Sequence, residues 1–210
     1  MTTVLIVDDH PAWRLVLRQY LSQLMGVVQI LEAGNGQDAI QMVRQARPGL
    51  IVLDLELPKI NGLEAIARIK AIHPDARILV ITAHDTAVFA PRVQAAGAHG
   101  HISKTQEMPE ILRGVEAVMA GYTVFPAGGG MARSEAAYAI ERLSDKELIV
   151  MQMLVRGMSN KEIGDAMFTS NKTISTYKTR LMAKLGVTTL VELIDFARRH
   201  HVVTAPPLST

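Results

Sequence analysis

Apolar residues in the first 122 positions fall into short unbroken runs that alternate with stretches of three- and four-residue spacing. The runs at 4–7, 27–31, 50–53, 77–82 and 100–102 predict strands, and the stretches at 12–24, 37–46, 63–72, 88–96 and 108–120 predict helices. In the last helix the apolar positions are Ile111, Leu112, Val115, Val118 and Met119, one face of a 3.6-residue period. Five strand–helix units in sequence predict an α/β fold, a doubly wound five-stranded parallel sheet with helices on both faces. Strands apolar at almost every position agree, because a strand covered on both sides has no polar face.

The pattern breaks at 126–135, where three consecutive glycines cannot hold a helix cheaply and no strand rhythm replaces it. This reads as a flexible linker, residues 123–141, between a domain at 1–122 and a second at 142–205. The second half is helical, with starts that are legible as capping boxes. Ser144 with Glu147, Ser159 with Glu162 and Thr189 with Glu192 each put a hydroxyl three residues before a carboxylate. Ser170 opens a further run whose apolar positions are Ile174, Tyr177, Leu181 and Leu185. Four helices follow, about 145–156, 160–167, 171–185 and 189–200. The interruption at 168–170 makes the middle pair a helix-turn-helix in a small all-α domain.

Composition narrows the classes. The chain has 210 residues, which at roughly 150 per domain means one large domain or two small ones. It has no cysteine, which excludes disulfide frameworks, thiolate zinc sites and thiol catalysis. Acidic Asp8 and Asp9 follow the first apolar run, so no secretory signal fits there, and no apolar stretch approaches the ~18 residues that cross a bilayer. These features predict a cytoplasmic protein with no membrane partner. The net charge of +2 is unevenly spread: residues 1–122 hold 11 basic and 12 acidic side chains, residues 142–210 hold 10 and 6. A near-neutral front and a basic back suit a regulatory module joined to a nucleic-acid-binding one.

Ligands of doubly wound sheets bind beyond the carboxyl ends of the strands. Asp8 and Asp9 follow the first strand there and Asp54 follows the third. Converging carboxylates repel without a cation, and an oxygen-only donor set suits Mg²⁺. Thr82 ends the fourth strand, and Lys104 follows the fifth. A carboxylate nucleophile, a hard metal, a hydroxyl and a lysine at one edge form a phosphoryl-transfer constellation.

The residues that carry this chemistry, 4–11 (VLIVDDHP), 52–62 (VLDLELPKING), 81–83, Gly97-Ala98 and Ser103-Lys104, resemble the receiver domain of two-component response regulators, a flavodoxin-like fold. The resemblance implies that Asp54 is the phosphoacceptor, and that Asp8, Asp9, Asp54 and the backbone carbonyl of Glu56 hold Mg²⁺. It also implies that Thr82 bonds the phosphoryl oxygens and that Lys104 pairs with them. His101 departs from the pattern, since receivers usually place an aromatic ring there that swings inward on activation. His101 is therefore a switch candidate, with two readings open: an imidazole that moves inward beside Thr82, or one that stays at the surface.

Residues 142–200 are similar to the LuxR-type output domain of the NarL/FixJ subfamily, through 143–148 (LSDKEL), 157–163 (GMSNKEI), 170–174 (SNKTI) and 184–187 (KLGV). The stretches 117–122, 170–181 and 190–197 further resemble the BvgA/EvgA group. Opposite its apolar stripe the 171–185 helix shows Lys172, Ser175, Thr176, Lys178, Thr179 and Arg180. Short hydroxyl side chains reach base edges in a major groove, and cations neutralise phosphates. Ser175, Thr176 and Thr179 are the expected base readers; Lys172, Lys178 and Arg180 are the expected phosphate contacts. Lys161, Ser170, Asn171 and Thr173 complete the expected DNA-binding set. The resemblances imply a transcription factor phosphorylated by a cognate sensor histidine kinase, a homodimer when activated, bound to double-stranded promoter DNA. Two alternatives are a phosphohydrolase with Asp54 as nucleophile and a receiver-like regulator that works without phosphorylation.

Overall fold

The computed structural model describes residues 1–83, 86–126, 139–140 and 142–199. The glycine triplet, and with it most of the expected linker, lies outside them, as do residues 200–205 of the expected second domain. Contacts along the chain divide it into two compact units, Met1–Gly128 and Gly129–Thr210.

In the front unit the order is β1 (Thr2–Val7), α1 (Pro11–Leu21), β2 (Val27–Ala33), α2 (Gly36–Ala46), β3 (Leu50–Leu53), α3 (Gly62–Ile72), β4 (Arg77–Thr82), α4 (Thr86–Ala95), β5 (Gly100–Ser103) and α5 (Met108–Ala120). All strand pairs are parallel and the sheet runs β2-β1-β3-β4-β5, the doubly wound α/β architecture that the alternation predicts. Val4, Ile6, Leu50, Val52, Leu79, Ile81 and Ile102 face one side and form a core with Leu17 and Leu21 of α1 and Ile111, Val115 and Val118 of α5. The alternate residues Leu5, Val7, Ile51, Leu53, Ile78 and Val80 are also buried and face the opposite side. Beyond α5 the chain turns at Gly121 (φ 99°) and runs beside β5, where Val124 donates to the His99 carbonyl and accepts from the His101 N–H.

The strands stop at a common edge, and the β3–α3 loop there leaves no room for a side chain. Gly62 donates to the Leu55 carbonyl at 3.0 Å, and a Cβ on it would lie 2.5 Å from both the Asp54 carbonyl oxygen and the Leu55 Cα. Backbone cannot retreat as a flexible side chain can. Gly62→Ala is therefore expected to destabilise the front unit by on the order of 1–3 kcal/mol, as overpacking does. Urea denaturation followed through the single tryptophan, Trp13, checks this; an unchanged midpoint contradicts it.

The second unit holds α6 (Asp145–Val155), α7 (Asn160–Ala166), α8 (Asn171–Leu185) and α9 (Leu190–Arg199). The capping boxes at Ser144/Glu147 and Ser159/Glu162 are both formed, and Thr189 with Glu192 repeats the exchange of hydrogen bonds. Its core is small: Leu148, Met151, Leu154, Ile163, Ile174, Leu181 and Leu193 are buried. Between α7 and α8 the turn passes through Phe168 in the left-handed region (φ 52°), and the Thr169 N–H donates to the Gly164 carbonyl. Glu147 ties α6 to the last turn of α8. Its carboxylate is almost fully buried, accepting from the Ser144 N–H at 2.7 Å and from Lys184 Nζ at 2.6 Å.

Candidate functional site: an acidic strand-end pocket and a polar helix face

Three backbone bonds fix the residues just past the strands. The Asp8 N–H donates to the Ala33 carbonyl at 3.1 Å, the Asp54 N–H to Val7 at 2.9 Å, and the Lys104 N–H to Thr82 at 2.8 Å. Asp8 and Asp54 are buried at 2% and 3% exposure, while Asp9 faces solvent. Lys104 Nζ lies 2.6 Å from Asp8 Oδ2 and 2.6 Å from Asp54 Oδ2, so one ammonium bridges the two buried carboxylates. Among the described residues, Asp54 Oδ1 accepts only a long bond, 3.3 Å, from the Glu56 N–H. Thr82 closes β4 fully buried, and its register partner is Ser103, next to Lys104.

Burial is the largest influence on Asp8 and pushes its carboxyl above the ordinary range; the neighbouring Asp54 charge adds to this, and Lys104 opposes it. Burial pulls the Lys104 ammonium down, but its attraction to Asp54 and its hydrogen bonds to both aspartates outweigh that and raise it. Two buried carboxyl groups thus share one ammonium. Asp8, Asp9, His10 and Asp54 each offer one ligand atom, all within 4.8 Å of one another. His10 Nδ1 is engaged by Asp9 Oδ1 at 2.7 Å, leaving a donor set dominated by carboxylate oxygen, which suits a hard divalent cation.

Two residues of α1 serve the pocket without being foreseen from the sequence. Arg14 Nη1 donates to the Asp8 carbonyl at 2.7 Å, while its Nε reaches Glu32 at 3.2 Å, pinning the turn that carries the aspartates. Trp13 lies under the Lys104 ammonium, 5.6 Å from Nζ to the ring centroid, and its Nε1 is buried with no hydrogen-bond partner among the described residues. The helical period places positions 13 and 14 at the mouth of the first strand, but nothing in their residue types announces the contacts.

His101 is buried, at 2% exposure, which overturns the reading that keeps it at the surface. The reason is the cover over β5. Ile102 packs into the α1/α5 core, so alternation turns His101 to the other face, where α4 packs against the strand, and the Val124 segment closes the edge.

On α8, Asn171, Lys172, Ser175, Thr176, Thr179 and Arg180 are exposed, whereas Thr173 and Lys178 are half-buried. Ile174, Leu181 and Leu185 are buried on the opposite side. Ser170 caps the helix through the Thr173 N–H at 3.1 Å, and the Ser170 and Thr173 hydroxyls bond each other at 2.8 Å. Lys161 is exposed near the start of α7. The structure thus gathers the expected polar residues on and beside one helix.

Comparison with known proteins divides the chain the same way. Residues 4–116 match the family described as response regulator receiver domain, and residues 141–197 match bacterial regulatory proteins of the luxR family. A transcriptional regulator of Pseudomonas aeruginosa is 46% identical over 208 residues, 97% of this chain and 100% of that protein. The positive transcription regulator of virulence factors BvgA, from Bordetella pertussis, is 45% identical over 206 residues, covering 95% of this chain and 98% of its own. Among solved structures, RcsB of Salmonella enterica serovar Typhimurium, bound to promoter rprA in the presence of a phosphomimetic, matches with a TM-score of 0.70 and 25% identity over 94% of this chain and 99% of that one.

Proposed function

The chain belongs to the two-component response regulators, as a DNA-binding transcriptional regulator with a receiver and a LuxR-type helix-turn-helix, and from that premise we propose how its residues divide the work. Asp54 is the phosphoacceptor. The observation that carries this is its buried carboxylate at the end of β3, held by Lys104 on one oxygen and only weakly bonded on the other. An Asp54 oxygen attacks the phosphorus of a sensor kinase's phosphohistidine, the P–N bond breaks, and the imidazole leaves. The product is an acyl phosphate. Asp8, Asp9, Asp54 and the Glu56 carbonyl would hold Mg²⁺, whose charge neutralises phosphoryl oxygens when it is bound. Lys104 transfers its charge pairing to the new phosphoryl group, which, if it resembles other phosphorylated side chains, carries ~1.5–2 negative charges in place of the carboxylate's one. The Thr82 hydroxyl bonds that group and reports it to β4. His101, inside the neighbouring strand, is the switch candidate on this path.

The front unit spans 1–122, a linker 123–141, and the output domain 142–205; activation makes a homodimer that puts two α8 helices on promoter DNA in the cytoplasm. RcsB dimers are known on DNA, which supports this assembly. Ser175, Thr176 and Thr179 read bases, and Lys161, Asn171, Lys172, Lys178 and Arg180 supply backbone affinity. The hydroxyls of Ser170 and Thr173, committed to the cap, fix the helix start near phosphate.

The division is tested by DNA titrations at several salt concentrations. Thr176→Ala is expected to lose about 1–3 kcal/mol on the cognate site and little on random duplex. Lys178→Ala should weaken both alike and flatten the salt slope by about one unit. Equal losses on cognate and random DNA for both variants contradict the assignment.

A further inference from the structure

The α8 hydroxyls do not present the same hydrogen-bonding capacity. Thr176 Oγ1 lies 3.0 Å from the Lys172 carbonyl, and Thr179 Oγ1 lies 3.0 Å from the Ser175 carbonyl. A carbonyl oxygen can only accept, so each threonine hydrogen is committed to the helix backbone. What these side chains offer outward is a pair of acceptor lone pairs and a methyl group. Ser175 is the converse. Its Oγ accepts from Asn160 Nδ2 at 3.2 Å, across from the first turn of α7, and its hydrogen remains to donate. Thr176 and Thr179 stand three residues apart on one face, with Ser175 four residues from Thr179, so the three form one patch of fixed polarity: acceptor, acceptor, donor.

Base edges in the major groove differ in the same terms. Cytosine N4 and adenine N6 donate; guanine N7 and O6, and thymine O4, only accept. Resting on the reading that this face addresses bases, we propose that Thr176 and Thr179 select amino-bearing edges, adenine or cytosine, and reject guanine, while Ser175 donates to an N7, O6 or O4 acceptor. A threonine facing guanine opposes lone pairs unless it gives up its bond to the helix carbonyl. That loss removes a hydrogen bond already made, and supplies the discrimination. Asn160 is a positioning residue: it does not touch DNA in this scheme but sets the direction of the Ser175 hydroxyl.

The test selects binding sites from a random duplex library with the full-length protein treated with a phosphodonor, then repeats the selection with Thr176→Val and Thr179→Val. Valine keeps shape and methyl and removes the acceptor; Thr176→Ser and Thr179→Ser keep the acceptor. Wild type is expected to select a base pair at each of the two positions whose preference the valine variants relax, the contact lying on the adenine or cytosine of that pair. Replacing that base by its analogue without the amino group should weaken wild type about 2–10-fold, the worth of one hydrogen bond, and leave the valine variant unaffected. The serine variants should retain the preference. Asn160→Ala should broaden only the position addressed by Ser175. An analogue lacking the amino group that leaves wild type unaffected, or one that weakens wild type and valine variants equally, overturns the polarity. Valine variants whose ratio of selected to random binding equals that of wild type instead overturn the assignment of base contacts itself.

Discussion

Incubated with Mg²⁺ and a small phosphodonor, the wild-type chain is expected to gain one phosphoryl group while Asp54→Asn gains none. The pocket holds three carboxylates, and their surroundings separate them. Asp8 Oδ1 accepts from the His10 N–H at 2.8 Å and its Oδ2 from Lys104, so both oxygens are engaged. Asp9 is exposed and paired with His10. Asp54 alone combines burial, the strand-end position and an oxygen with one long backbone bond. Asparagine matches aspartate in shape and keeps an acceptor, but its amide lacks the nucleophilic charge. Intact mass spectrometry reads the result, and equal labelling of the two proteins contradicts it.

Glu147→Ala is expected to destabilise the output unit by about 2–3 kcal/mol, somewhat under the ~3–5 of breaking a fully buried pair, because Lys184 is a third exposed and can turn to water. One side chain here serves two purposes, since it closes the N-terminus of α6 and anchors the C-terminal turn of α8. At a urea dependence of about 1 kcal/mol/M for so small a unit, the midpoint drops by roughly 2–3 M. Far-UV circular dichroism should show this loss while Trp13 fluorescence, confined to the front unit, keeps its wild-type transition. Coincident shifts in both signals contradict a local effect. The pH dependence has a definite sign. Burial pushes the Glu147 carboxyl up, but Lys184 and Ser144 outweigh it and hold it below the ordinary 4.5. The stabilisation is therefore present in full above that value and is lost as pH falls through the lower folded one, so the gap between wild type and variant narrows in acid.

Strand and helix positions were legible because both periods are strong. The apolar runs at 50–53 and 77–82 coincide with β3 and β4, and the 171–185 helix with α8. The strand-end chemistry was legible too, because Asp8, Asp54, Thr82 and Lys104 each terminate a run whose register the fold then aligns. Contacts set by three-dimensional packing were not. Trp13 under Lys104 joins α1 to the turn after β5, and Glu147–Lys184 joins residues far apart in sequence; no local pattern encodes either pairing. His101 shows the same limit. Its polarity suggests a surface position, and only the closure of β5 by α4 and the Val124 segment buries it.

In the proposed mechanism the acidic pocket of the receiver governs the polar helix of the output domain. The affinity of the full chain for a selected promoter duplex, taken with and without phosphodonor at one salt concentration for wild type and Asp54→Asn side by side, reads this control. Phosphorylation is expected to tighten wild-type binding by about 5–150-fold, the range of a 1–3 kcal/mol coupling, and to leave Asp54→Asn unchanged. Wild type shown by mass to be phosphorylated at Asp54, yet binding the duplex no differently, would contradict it.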